Sequence, residues 1–496
     1  MQLRNYVAGS WVEETGESFV SVNPATGETV ASAPVTGAVG VTAAVEAARA
    51  AVDDGSWADR RAADRAAALS ALADALEARE RDAGELIALE MGKPVRVGRG
   101  REVAGAIDRL RFYAGASRAL DGRSVVAPDA SLWDMEIPEP VGVAALIIPW
   151  NDPIDLLIRK LGAAMAAGCA VVIKPSELTP ASTALVVELA DETGAFPRGV
   201  INLVHGPGTP TGEALVRHPG VEKVSFTGST ATGIAIATAA AERLARVSLE
   251  CGGKAPALVF DDADLPRCLD ALSYGAFMYS GQSCTACTRL LVHDAVYDEV
   301  LEGIVERSRA LPMGDPFDDR VLVGPMASRA QYDKALRYIA IAQEDGGKAV
   351  LGGDEGDPGD LYLGPTVLVD VPLESRVNQE EVFGPVLTVT RFDDEAEALR
   401  LANATGFGLG ASVWTGDAGR SLRVARELDF ADVWVNGYYV RHAETTFGGR
   451  HSSGIGRELG LRGIEEYVSW KRVCIDTRTV DFHLKTWFEQ SEDFRG

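Results

Sequence analysis

VGVAALIIPWNDPIDLLIRKLGAAMAAGCAVVIKPSELTP, residues 141–180, holds two short apolar runs, VGVAALII and AVVIKP, separated by an apolar-periodic segment that closes on AAMAAG. Uninterrupted β-branched runs read as strands buried on both faces, and the segment between them is long enough for a crossover helix. The same rhythm continues through TPASTALVVELADETG, GVINLVHG, VEKVSFTG and ARVSLECGG. Strands joined by helices at a spacing of roughly 25 to 30 residues imply right-handed crossovers and a parallel sheet. The predicted fold is therefore α/β and doubly wound, and such sheets take ligands at the carboxyl ends of their strands.

A second α/β pattern starts near Ala257 with ALVF, a helix through LPRCLDALSYGAFMYS, a strand RLLVHDAV and a helix through VLEGIVERSR. Between Ala119 and Glu139 the texture is polar and alternating (GRSVVAPDASLWDMEIPEP), which predicts a projecting hairpin, and EEYVSWKRVCIDTR has similar strand character. Two such exposed edges would prefer a partner chain. Residues 38–120 are rich in Ala, Arg and Glu and read as helical. The expected division is 1–118 with 141–252 as one α/β domain, 253–450 as a second, and 119–140 with 465–496 as a small β element and tail.

A chain of 496 residues has ample material for two or three cores, with 46% apolar and 24% charged residues. A net charge of −24 opposes nucleic acid and anionic membrane, which are bound through clustered Lys and Arg. The first residues lack a signal-like apolar run, and no apolar stretch reaches membrane-spanning length, so a soluble cytoplasmic protein is expected. Six cysteines are too sparse for a disulfide framework.

Two of them lie three apart in MYSGQSCTACTR, residues 278–289, a spacing open to a metal half-site, a redox pair, or one nucleophile with a bystander. Zinc would need further ligands and the nearest histidine is His293, so no metal is expected. In SFTGSTATG, residues 225–233, small residues between a strand and a helix could present backbone N–H groups to a phosphate, or could serve only as a cap and tight turn. Lysine is scarce, nine against 39 arginines, yet Lys174 stands at a strand's end with Glu177 three residues on. That pair could hold ribose hydroxyls, with Glu177 repelling a 2′-phosphate, or could be an ordinary surface pair. Glu250 ends a strand before two glycines; burial at a domain junction would raise its pKa and suit it to general-base work.

IIPWN at 147–151, KPSE at 174–177, FTGSTATG at 226–233, LECGGK at 249–254, SGQSCTACTR at 280–289, EEVFGP at 380–385, VWVNG at 433–437 and FGG with SGIGRELG at 447–460 follow one another in order. In this the chain resembles the hydrolytic, non-acylating aldehyde dehydrogenases from about Asn5 to Val473. The resemblance implies an NAD(P)-dependent dehydrogenase with a cofactor domain, a catalytic domain and a β oligomerisation element. It implies Cys284 as nucleophile, with Cys287 a bystander, Glu250 as general base, Asn151 as oxyanion donor and Glu458 as a proton relay. Lys174 and Glu177 correspond to adenosine-ribose contacts, and Gly228 and Ser229 to the pyrophosphate turn. Ile148, Trp150 and Gly233 fall on the same motifs as further cofactor positions, and Glu381 and Phe383 belong to the nicotinamide-ribose side.

The aldehyde tunnel would be lined by Asp152, Asp155, Arg159, Met278, Ser283, Thr285, Tyr439, Arg441 and Phe447. So much charge implies a polar or semialdehyde substrate, unless Asp155 and Arg159, four apart on a helix, satisfy each other. A free Arg441 would favour a carboxylate-bearing aldehyde, and an unpaired Asp152 an amino aldehyde. The expected cofactor is NAD, with NADP the alternative, and the expected assembly a homodimer or homotetramer. The competing reading is a retired enzyme kept as a binding or structural component. TVDFHLKTWFEQSEDFRG extends beyond the resemblance.

Overall fold

The computed structural model describes residues 1–14, 16–126, 132–353 and 360–477. Its architecture is two α/β bodies with a small antiparallel sheet. The first sheet has eight strands in the order Ser10–Val12, Asn5–Val7, Ile201–Leu203, Ala170–Lys174, Val143–Ile147, Lys223–Thr227, Arg246–Glu250, Gly454–Ile455. The five from Ile201–Leu203 to Arg246–Glu250 are parallel. Strand order reverses direction at Val143–Ile147, which has Ala170–Lys174 on one side and Lys223–Thr227 on the other, so a crevice opens at that switch point.

The helix Pro153–Ala167 shows why the opening stretch folds as it does. Pro153 sits in the first turn, where its missing N–H costs nothing, and Gly168 ends the helix at φ +95°, a left-handed position suited to glycine. Every residue of this helix is buried, including Asp155, Arg159 and Lys160. At Gly162 a Cβ would stand 2.4 Å from the Tyr113 ring, so glycine lets the helix Ala104–Ala116 pack close. Three charges inside such a helix must find partners, which they do at the site.

The second sheet has seven strands, in the order Lys348–Leu351, Thr366–Val369, Val386–Phe392, Cys287–His293, Ala255–Val259, Gly410–Trp414, Asp432–Val435. Apolar clusters cover both its faces, one around Leu272, Val300 and Trp414, the other around Phe260, Phe392 and Phe430. RLLVHDAV is shorter as a strand than expected. It stops at His293, whose Nδ1 accepts from the Ala295 N–H and turns the chain into the helix Tyr297–Arg309. The helix through LPRCLDALSYGAFMYS likewise ends at Phe277.

In the third sheet Val468–Asp476 pairs with Leu132–Pro140, and Leu132–Pro140 with Arg123–Val126. The two edges expected to seek a partner chain thus pair with each other within one chain. Residues 127–131, within the stretch expected as a hairpin, and 478–496, which include the C-terminal extension, lie outside the described residues. Among the described residues no helix is long and apolar enough to cross a membrane.

Candidate active site

Parallel register brings the motif-bearing strand ends to one level: Ile147 stands beside Lys174 and Phe226, and Thr227 beside Glu250. A cleft of about 630 Å³ opens above them, lined by Ile148, Trp150, Lys174, Glu177, Gly228 and Ser229 among others. Lys174 is no surface lysine. It is 4% exposed, its Nζ donates to the carbonyls of Pro175 and Gly206, both at 2.7 Å, and burial lowers its pKa to about 8. Glu177 is exposed at the cleft's wall.

Gly228 and Ser229 serve as turn and cap while also facing the cleft. A Cβ on Gly228 would meet the Phe226 ring at 2.4 Å, and the Ser229 hydroxyl accepts from the Thr232 N–H at the start of the helix Thr230–Ala241. That helix start, glycine approach and carboxylate fit a dinucleotide: N–H groups for pyrophosphate, Lys174 and Glu177 for a ribose. Gly233 lies in the same helix start, and a Cβ there would come within 2.7 Å of the Cys251 sulfur, so glycine lets this helix pack close to the strand Arg246–Glu250. Thr209, Glu213 and Arg217 also line the cleft and carried no signal that the motifs supplied.

Trp150, Gly228 and Ser229 also line a second cavity of about 140 Å³ that holds Asn151, Cys284, Glu381 and Phe383. Glu381 accepts from the Gly253 N–H at 2.9 Å, and burial raises its carboxyl pKa. Trp150 and Phe383 meet edge to face at 5.3 Å. Gln331 and Lys334, from the helix Arg329–Glu344, are additional members.

The loop before Cys284 is strained: Tyr279, Ser280 and Gly281 have φ of +53°, +58° and +68°. Two non-glycine residues in succession in that region persist only where surroundings over-determine them. Here Ser280 Oγ donates to the Gly324 carbonyl at 2.7 Å, and Gln282 accepts from the Ala327 N–H at 2.9 Å. The glutamine of this motif is thus a clamp. Cys284 packs against Leu409, Phe447 and Leu459. Burial pushes its thiol up to about 12, opposed by Arg441 and Arg159. Arg289, the basic residue of its own motif, points elsewhere, donating to the carbonyls of Lys254, Leu401 and Ala402. Cys287 is buried in the second sheet's core, its thiol also raised to about 12 by burial.

Asn151 Nδ2 makes only long contacts, 3.4 Å to the Gln282 carbonyl and 3.4 Å to Asp152, so its donor capacity is largely unspent. Glu250 is 3% exposed, and neither carboxylate oxygen has a hydrogen-bond partner. Burial, and then the charge of Glu458, raise its pKa well above the usual range. Glu458 is itself ion-paired with Lys160, whose Nζ also donates to Thr227 at 2.7 Å.

The substrate-side residues separate into paired and unpaired charges. Asp155 accepts from Arg159 at 2.7 Å and pairs with Arg109 at 2.8 Å, so these charges satisfy one another. Asp152 pairs with Lys93 at 2.7 Å, and Lys93 also pairs with Glu102. Arg441 donates to the Thr285 hydroxyl at 2.5 Å, and its guanidinium lies 4.5 Å from the Phe447 ring. Met278 packs with Val97 and Tyr279, and its sulfur contacts Arg101. Ser283 is buried and bonds the Tyr439 hydroxyl. Lys93, Arg101, Arg109 and Lys160 were not anticipated.

The aldehyde dehydrogenase family profile matches residues 11–473. The chain is 41% identical over 464 residues to an aminoacetaldehyde dehydrogenase of Pseudomonas aeruginosa, covering 93% of each chain. It is 39% identical over 472 residues to a geranial dehydrogenase of Castellaniella defragrans, covering 95% of this chain and 98% of that one. Among solved structures, betaine aldehyde dehydrogenase from Staphylococcus aureus in complex with NAD+ superposes with a TM-score of 0.94 at 34% identity, over 97% of this chain and 96% of that one.

Proposed function

The chain belongs to the aldehyde dehydrogenase family, and on that premise we propose that it converts an aldehyde, NAD+ and water to the carboxylic acid, NADH and a proton, through Cys284. The observation that carries this reading is the shared cavity wall: Cys284 and Asn151 stand with Gly228, Ser229, Glu381 and Phe383 around one space. Lys174, Glu177, Gly228 and Ser229 would hold the adenosine half of NAD, and Trp150, Glu381 and Phe383 the nicotinamide half. When bound, NAD supplies the acceptor for the hydrogen and two electrons that leave the substrate carbon.

The chain's own groups carry the rest. Cys284 sulfur adds to the carbonyl carbon, giving a thiohemiacetal whose oxyanion is held by Asn151 Nδ2 and the Cys284 N–H. Because burial keeps the resting thiol protonated, Arg441 and Arg159 matter as the cations that oppose that shift. After oxidation to the thioester, Glu250 removes a proton from water, the new C–O bond forms, and the C–S bond breaks to free Cys284. Glu458, held by Lys160, gives the Glu250 proton a polar exit.

Glu177 at the ribose position favours NAD over NADP through repulsion of a 2′-phosphate. The substrate is polar, because Arg441, bonded only to the neutral hydroxyl of Thr285 beside the nucleophile, keeps most of its donors unspent. Residues 119–140 with the strand Val468–Asp476 form an oligomerisation element, its sheet exposing Val126, Trp133 and Trp470. Initial rates with several aldehydes, with NAD and NADP compared, test the reading: Cys284→Ser abolishes NADH formation, whereas unchanged oxidation by that variant would refute it.

A further inference from the structure

Resting on that reading of the site, we propose that the substrate carries a second, anionic group, a carboxylate a short chain away from the aldehyde, and that Arg441 is the residue that selects it. The acids on the substrate side of the nucleophile, and Glu458 behind the proposed base, are engaged. Asp155 is shared by Arg109 and Arg159, Asp152 is held by Lys93, and Glu458 by Lys160. An ammonium group entering on that side would meet carboxylates that each already hold a cation; Glu250 and Glu381, which hold none, are assigned above to the general-base and nicotinamide-ribose roles.

The cations are not all so matched. Among the described residues, neither Arg441 nor Arg101 has a carboxylate within 4.0 Å; Asp432, whose charge Arg441 feels, lies beyond that distance. Arg441 Nη2 donates to the neutral hydroxyl of Thr285, the residue after the nucleophile, while its Nε is buried without a partner. Its guanidinium lies 4.5 Å from the ring of Phe447, a member of the apolar cluster against which Cys284 packs, and 5.7 Å from Trp434 and Tyr439. Arg101 stands over the same Tyr439 ring at 4.3 Å.

A guanidinium has five N–H donors, and one bond to a hydroxyl leaves most of them unspent. The ligand that satisfies a planar fork is a carboxylate, taken by two parallel bonds. Both arginines lie within 5.7 Å of the Tyr439 ring, so an anion beside it would meet positive charge from both. Since Arg441 reaches the residue next to Cys284, that anion lies only a few bonds from the reacting carbon. Short semialdehydes have this form. Amino and betaine aldehydes, named in the family's relatives, have the opposite charge.

The test compares kcat/KM for three aldehydes of matched length: succinic semialdehyde, butanal and 3-aminopropanal, with wild type, Arg441→Gln and Arg441→Lys. Losing a charged hydrogen bond costs about tenfold to a hundredfold, so wild type should prefer the semialdehyde over butanal by that margin. Arg441→Gln should collapse this ratio through KM, and Arg441→Lys should restore part of it. Succinate should compete with butanal in wild type and in Arg441→Lys, but not in Arg441→Gln. A preference for the amino or neutral aldehyde, or a loss in Arg441→Gln that is equal for all three, overturns the inference while leaving the dehydrogenase reading intact. Absence of NADH formation with every aldehyde overturns both.

Discussion

The cofactor rim and the substrate side of this molecule are built by different means. At the rim, four parallel strands carry Trp150, Lys174, Gly228 and Glu250 at or just past their carboxyl ends, and backbone register aligns those ends. On the substrate side, positions depend on side-chain pairing across distant segments: Lys93 with Asp152, Arg109 with Asp155, Lys160 with Glu458. A rim of the first kind should tolerate loss of a side chain without losing its shape. A wall of the second kind should not, because removing one partner strands a buried charge.

Substitutions can press on that contrast, and the largest effect belongs where the two regions meet. Asn151→Ala removes the oxyanion donor, and kcat should fall about 100-fold to 1,000-fold with the protein still folded and still binding NAD. Next in size is Lys93→Met, which leaves Glu102 and Asp152 without their cation. Calorimetry or denaturant titration should show a loss of about 3–5 kcal/mol, since breaking a buried pair costs that much. Lys174→Met provides the counterpart at the rim: Km for NAD should rise about tenfold, with a stability loss well below that of Lys93→Met, because it leaves two neutral carbonyls unpaired rather than two charges. Equal stability losses in the two lysine variants would erase the distinction.

The smallest effect concerns pH. The folded-state pKa of Glu250 is raised, so the folded protein binds that proton more tightly than the unfolded chain does. Its ionisation therefore destabilises the fold as pH rises above the ordinary glutamate value near ~4.3, and not below it. Glu250→Gln should raise Tm by about 1–3 °C at pH 8 and leave it unchanged at pH 4. A Tm that falls at pH 8 would mean that the carboxylate has a favourable partner. In the wild type, rates should climb with pH, because both Cys284 and Glu250 work deprotonated and burial raises both.

The same contrast explains what was legible beforehand. Strand–helix alternation and the small residues after Thr227 follow from local rules, so the first sheet and its rim could be read along the chain. Whether Asp155 and Arg159 faced substrate or each other could not, because Arg109 decides it from a helix of the Ala/Arg/Glu-rich stretch, where one arginine looks like any other. Lys93 is hidden because its partner Asp152 lies 59 residues further along the chain. The cations near Cys284 likewise come from Arg159 and Arg441, far from its own motif, while the adjacent Arg289 is spent on carbonyls.

The most direct test of acyl transfer through Cys284 is to mix Glu250→Gln with aldehyde and NAD at pH 9, follow NADH in a stopped-flow instrument, and weigh the quenched protein. With thioester hydrolysis disabled, the account predicts a burst of one NADH per active site and the mass of one acyl group on Cys284. NADH formed without any mass on Cys284, or an acyl group on Cys287 instead, would contradict it.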